Sequence, residues 1–103
     1  MKSDELKTAE YVLAELERHA GVLRGFGVKR IGLFGSVARG ESKPDSDLDF
    51  VVELERWTCD DFLGTAFFLE DLFGCEVDLV PLDSIRPQLR NYILPEIKYA
   101  QGV

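Results

Sequence analysis

The sequence predicts a small α/β (α+β) domain in which short strands form a sheet with helices packed against it. Three observations point there. Apolar residues recur at steps of three and four in some stretches, and short apolar runs bounded by Gly, Pro and Asp occupy others. The connections between them are of lengths that suit a small sheet covered by helices. The expected order is helix, strand, short helix, strand, helix, strand, helix, over residues 1–103 as one domain.

Ser3 to Leu23 reads as the first helix, because Leu6, Ala9, Leu13, Leu16, Ala20 and Leu23 form one apolar stripe. Ser3 is its expected N-cap, Asp4 and Glu5 suit the positive end of the helix dipole, and Gly21, Gly25 and Gly27 mark its end. His19 lies among polar neighbours and is expected at the surface. Lys29 to Gly35 is the first strand, Ser36 to Arg39 a short helical turn, and Gly40 to Ser46 a loop. Asp47 to Leu54 is the second strand. Asp60 or Thr58 caps a helix over Asp61 to Phe73, whose apolar face is Phe62, Leu63, Ala66, Phe67, Leu69, Leu72 and Phe73. Gly74 ends it. Glu76 to Pro81 is a third strand. Asp83 or Ser84 caps a last helix from about Ile85, with Leu89, Tyr92 and Ile93 facing inward, and Pro95 should kink or restart it before Ile97, Tyr99 and Ala100. Trp57 is expected to pack rather than to cover a ligand.

Composition narrows the function. With 46% hydrophobic and 11% aromatic residues, a chain of 103 residues can build a core without disulfides. Twelve Lys and Arg against 19 Asp and Glu give a net charge of −7, which argues against direct nucleic-acid binding through a basic face. That balance fits a metal site and a basic protein partner equally well. Cys59 and Cys75 form neither a CxxC pair nor a zinc framework, so reduced thiols are expected. No leader pattern and no apolar run long enough to span a bilayer is present, so the expectation is a soluble, cytoplasmic protein with no membrane contact.

The chemistry concentrates between Leu33 and Val52. Gly35-Ser36 falls where a strand gives way to a helical turn, a place where free backbone N–H groups can cradle a phosphate and glycine lets it approach. The GxxxxGK[ST] spacing of a P-loop is absent. Asp47 and Asp49 are two apart at the start of a strand and therefore share a face. Two like charges held that close repel unless a cation lies between them. Asp78 interrupts another apolar strand and would join them if the two strands are neighbours; a salt bridge with Lys29, Lys98 or an arginine is the other explanation for it. Oxygen-only ligands of this kind suit Mg²⁺ or Mn²⁺ rather than zinc.

The string Gly35-Ser36-Val37-Ala38-Arg39-Gly40-Glu41, followed by Ser46-Asp47-Leu48-Asp49 and a later strand Asp, resembles the nucleotidyltransferase superfamily that includes DNA polymerase β. It looks like the minimal nucleotidyltransferase (MNT) branch, small proteins paired with a HEPN-domain RNase toxin. The resemblance implies a nucleotidyltransferase fold with a small mixed sheet. It implies that Asp47 and Asp49 hold two divalent metals on the triphosphate of ATP, and that Asp78 holds the second metal and acts as general base. Gly35 and Ser36 would bind the β- and γ-phosphates, and Arg39 a phosphate or the partner. By the same resemblance, the protein is an antitoxin that transfers AMP from ATP, with Mg²⁺, onto a tyrosine of its HEPN toxin in a hetero-oligomer. Larger relatives carry further domains for small-molecule or RNA acceptors, and none fits in 103 residues, which points to a protein acceptor. The alternatives are an antitoxin that neutralises the toxin by contact alone, or a structural domain whose acids form salt bridges. Phe62, Phe67, Phe68 and Phe73 are open to either a core or an interface role.

Overall fold

The computed structural model describes residues 8–41 and 47–103. Its chain order is α1 (Ala9–Arg18), α2 (Ala20–Gly25), β1 (Val28–Phe34), α3 (Gly35–Ala38), β2 (Leu48–Leu54), α4 (Cys59–Phe73), β3 (Val77–Pro81), α5 (Pro87–Ile93) and β4 (Lys98–Tyr99). Short 3₁₀ turns at Leu82–Ser84 and Leu94–Glu96 flank α5. The sheet order is β3-β2-β1-β4, with β1 antiparallel to both β2 and β4 and β2 parallel to β3. This is the expected mixed sheet. The parallel pair needs a crossover, and the 15-residue α4 supplies it.

Alternation along the strands divides the sheet into two unlike faces. Ile31 and Leu33 of β1 and Leu48, Phe50 and Val52 of β2 are buried on one face beneath Val12 and Leu16 of α1, Leu23 of α2, and Leu69 and Phe73 of α4. Phe50 stacks on Phe73 with ring centroids 5.9 Å apart. The opposite face carries Arg30, Phe34, Asp49, Val51 and Glu53, which the register sets across from one another. Arg30 bridges Glu53 at 2.9 Å and lies over the Tyr99 ring. Gly32 sits beneath Ile97 and Tyr99, where a Cβ would overlap the Ile97 side chain. Among the described residues no helix is long and apolar enough to cross a membrane.

Local chemistry explains most boundaries. Thr58 caps α4, its hydroxyl accepting from the Asp61 amide at 3.1 Å, and Gly74 closes it in the left-handed conformation at φ 67°. The expected first helix is two: it breaks at His19, and the α1 cap is Thr8, whose hydroxyl accepts from the Tyr11 amide. The expected cap Ser3, with Asp4, Glu5 and Leu6, lies outside the described residues, as do 42–46 of the Gly40–Ser46 loop. His19 is half-buried, not at the surface, because its ring meets the Glu15 carbonyl and the edge of Phe68.

The C-terminal third departs furthest from expectation. The helix expected from Ile85 starts later: a 3₁₀ turn ends at Ser84, Ile85 and Arg86 are extended, and α5 begins at Pro87, whose ring suits a first helical position and whose missing N–H costs nothing there. Leu89 and Tyr92 point outward, Tyr92 being 73% exposed; only Ile93 of the expected inward trio is half-buried. Beyond Pro95 the chain does not resume a helix but adds β4 as an edge strand. On α4, Leu63 and Phe67 are exposed, and Trp57, 55% exposed, packs against the Phe62 ring. The buried side of α4 is thus narrower than its apolar content suggests. Leu69→Ala is expected to cost about 2–5 kcal/mol by opening a cavity in the core, whereas Phe67→Ala, on the same helix but 64% exposed, should stay within about 0.5 kcal/mol. Urea denaturation midpoints of the two variants measure the difference.

Candidate active site

The two-residue period that pairs Asp47 with Asp49 also decides what they meet. Leu48 is buried in the core, so Asp49 emerges on the opposite face, and Asp47 stands one residue before the strand. The antiparallel register sets Asp49 across from Phe34, the residue before Gly35-Ser36. The parallel register sets it across from Asp78 of β3 on its other side. Asp49 therefore lies between the strand–helix junction of β1 and the single acid of β3. Asp78 is exposed rather than buried, and among the described residues it makes no salt bridge with Lys29, Lys98 or an arginine. Its neighbour across the parallel register is Asp49.

Electrostatics record the crowding. The Asp49 carboxyl is pushed up from 3.8 to about 6, first by partial burial, then by the charge and hydrogen bond of Asp78, then by the charge of Asp47; Arg39 opposes the rise. Among the described residues no three His, Cys, Asp or Glu side chains close into a metal cage. What the fold does bring together is a partly buried carboxylate flanked by two more acids. Oxygen-only donors that repel one another in this way have the chemistry that suits a hard divalent cation such as Mg²⁺ or Mn²⁺.

Gly35 is shaped to this pair. Its φ is 82°, and a Cβ there would overlap Asp49 Oδ2. Only glycine lets α3 start so close to the carboxylate. Ser36 follows in the first turn of α3, where backbone amides have no helical partner. Arg39 caps α3 at its far end and is held by two acids, Nε donating to Glu41 and Nη1 to Glu96. Glu41 stands in the Arg-Gly-Glu string of the sequence; Glu96 gives no sequence signal, since it meets Arg39 only through the return of β4 to β1.

Residues 13–100 match the nucleotidyltransferase domain family. The chain belongs to that family. A curated relative, the protein adenylyltransferase MntA of Thermococcus cleftensis, is 39% identical over 94 residues, covering 89% of this chain and 95% of its own. A solved structure assigned provisionally as a minimal nucleotidyltransferase superposes with a TM-score of 0.76 at 36% identity, covering 89% of this chain and 95% of that one. Two solved toxin–antitoxin complexes share the fold. One contains AMP-PNP (TM-score 0.69, 24% identity, 88% and 73% coverage). The other joins a tri-AMPylated Shewanella oneidensis HEPN toxin to an MNT antitoxin (TM-score 0.62, 22% identity, 89% and 73% coverage). The expected fold and family are those found.

Two consequences of this arrangement of Gly35 and Asp49 can be measured. Gly35→Ala forces a left-handed backbone on a residue with a Cβ, costing roughly 1–2 kcal/mol, and drives Asp49 aside; a lower urea midpoint and a smaller thermal shift on adding Mg²⁺ are expected. An acid whose pKa rises on folding binds its proton more tightly when folded, so ionising Asp49 costs stability as pH climbs from 3.8 through about 6. Asp49→Asn should therefore be more stable than the native protein above that window, and its advantage should vanish below it. Saturating Mg²⁺ should reverse the order at neutral pH by stabilising the native site alone. Thermal denaturation across pH, with Mg²⁺ and with EDTA, tests both halves.

Proposed function

We propose that this nucleotidyltransferase transfers AMP from ATP onto a tyrosine hydroxyl of a HEPN-domain RNase toxin and acts as its antitoxin. The observation that carries this reading is the register that sets Asp49 between Gly35-Ser36 and Asp78. The name of the Thermococcus cleftensis relative supports adenylyl transfer to a protein, and the complex with the AMPylated HEPN toxin supports the class of acceptor. The complex with AMP-PNP supports ATP as donor.

In this reading the amides and hydroxyl of Gly35-Ser36 bind the β- and γ-phosphates, and Arg39 reaches a phosphate of the same nucleotide. Asp78 takes the proton from the tyrosine oxygen as it attacks the α-phosphorus. The bond from that phosphorus to the oxygen bridging the β-phosphate breaks, and pyrophosphate leaves. Asp47, Asp49 and Asp78 would hold two Mg²⁺ ions, with Mn²⁺ able to replace them. Bound there, the metals would neutralise charge on the attacking and leaving oxygens. The chain's own contribution is position and a partly desolvated setting for those carboxylates.

The acidic balance of the chain suits docking on a basic RNase and disfavours direct contact with nucleic acid. We accordingly infer a hetero-oligomer of antitoxin and toxin working in the cytoplasm. The test incubates the protein with ATP, Mg²⁺ and a HEPN-domain protein as candidate partner, followed by mass spectrometry. Mass increments of AMP on a toxin tyrosine are expected, lost with EDTA and in the Asp47→Asn, Asp49→Asn double variant. A stable complex without any increment would replace the enzymatic reading with neutralisation by contact.

A further inference from the structure

Arg39 presents a problem that the fold has to solve. A guanidinium whose charge is felt at Asp49 is drawn toward that carboxylate, and once beside it would occupy oxygens that a divalent cation needs. Two acids outside the cluster hold it instead. Nε donates to Glu41 Oε1 at 3.2 Å, and Nη1 donates to Glu96 Oε1 at 3.1 Å. Glu41 is only two residues away and belongs to the same loop. Glu96 lies 57 residues further along the chain, in the 3₁₀ turn just before β4, and β4 is fixed on β1 by the pairs Gly32–Tyr99 and Leu33–Lys98. Glu96 is thus the contact that ties the guanidinium to the sheet.

We propose that Glu96 is a positioning residue: it holds the Arg39 guanidinium at the rim of the carboxylate cluster, out of the metal site and directed at the nucleotide phosphates. This rests on the nucleotidyl-transfer reading above. The pair is 44% and 36% exposed, so it contributes little to folding stability. Its effect should fall on ligand binding instead, and that separates a positioning role from a structural one.

The test measures binding of Mg·AMP-PNP by calorimetry to the full chain, to Glu96→Ala, Glu96→Gln and Arg39→Ala, and to the double variant. Glu96→Ala is expected to weaken binding roughly tenfold, and in the Arg39→Ala background to add nothing further, since it acts through that side chain. Glu96→Gln keeps an acceptor for Nη1 and should retain most of the affinity. In transfer assays Glu96→Ala should raise the KM for ATP while leaving kcat at saturating ATP nearly unchanged, with a melting temperature close to native. Unchanged affinity in Glu96→Ala, or losses from the two single variants that add in full, would overturn the proposal. Failure of the native chain to bind Mg·AMP-PNP would instead overturn the nucleotidyltransferase site on which it rests, so the two failures are distinct.

Discussion

Asp49 and Asp78 stand abreast on parallel neighbouring strands, and their repulsion has to be offset by packing elsewhere. The offset lies directly behind them. Leu48 and Phe50, the residues on either side of Asp49, are fully buried on the core face, as is Leu33, opposite Phe50 on β1. Each such side chain gains roughly 1.5–3 kcal/mol from burial, enough to hold a strand in register against one unfavourable carboxylate pair. A slip of one residue would turn Phe50 to the charged face and Asp49 into the core. The register that stabilises the fold is therefore the one that keeps the acids together.

The division of labour between the two faces follows from this. One face of the sheet is continuous hydrocarbon under α1, α2 and α4. The other pairs charges, with Arg30 on Glu53 and Arg39 on Glu41 and Glu96, around a partly buried acid. Ion pairs that exposed do little for stability, so their geometry is free to serve the site. Gly35 marks the boundary: a residue with any side chain there would collide with Asp49.

How much of this could be read from the sequence depended on range. The strands carrying Asp49 and Asp78, the turn at Gly35-Ser36 and helix α4 were legible because their signals are local: period-two alternation, a glycine break, Thr58 and Gly74 at the helix ends. The break at His19 was not, because the ring's contact with Phe68 of α4 exists only after folding. Strand β4 has two residues and no periodicity to detect. Leu89 and Tyr92 were misassigned, and Phe67, open to a core or an interface role, proves exposed, for a shared reason. Apolar content says that a residue can be buried, and only tertiary placement says whether a partner is there to bury it.

The site divides along the same line. Asp47 and Asp49 are two residues apart and Asp78 interrupts an apolar run, so these acids could be found; the restraint on Arg39 could not, since Glu96 reaches it from a turn far along the chain. Charge arithmetic suggests why such a restraint is needed. A guanidinium whose charge is felt at Asp49 is drawn onto that carboxylate unless other acids hold it. Glu41 and Glu96 hold Arg39 with little cost to the fold, because both pairs remain partly exposed to water. The edge strand β4, which adds few apolar contacts of its own, acquires a purpose on this view: it brings Glu96 back to the end of the sheet where the carboxylates lie.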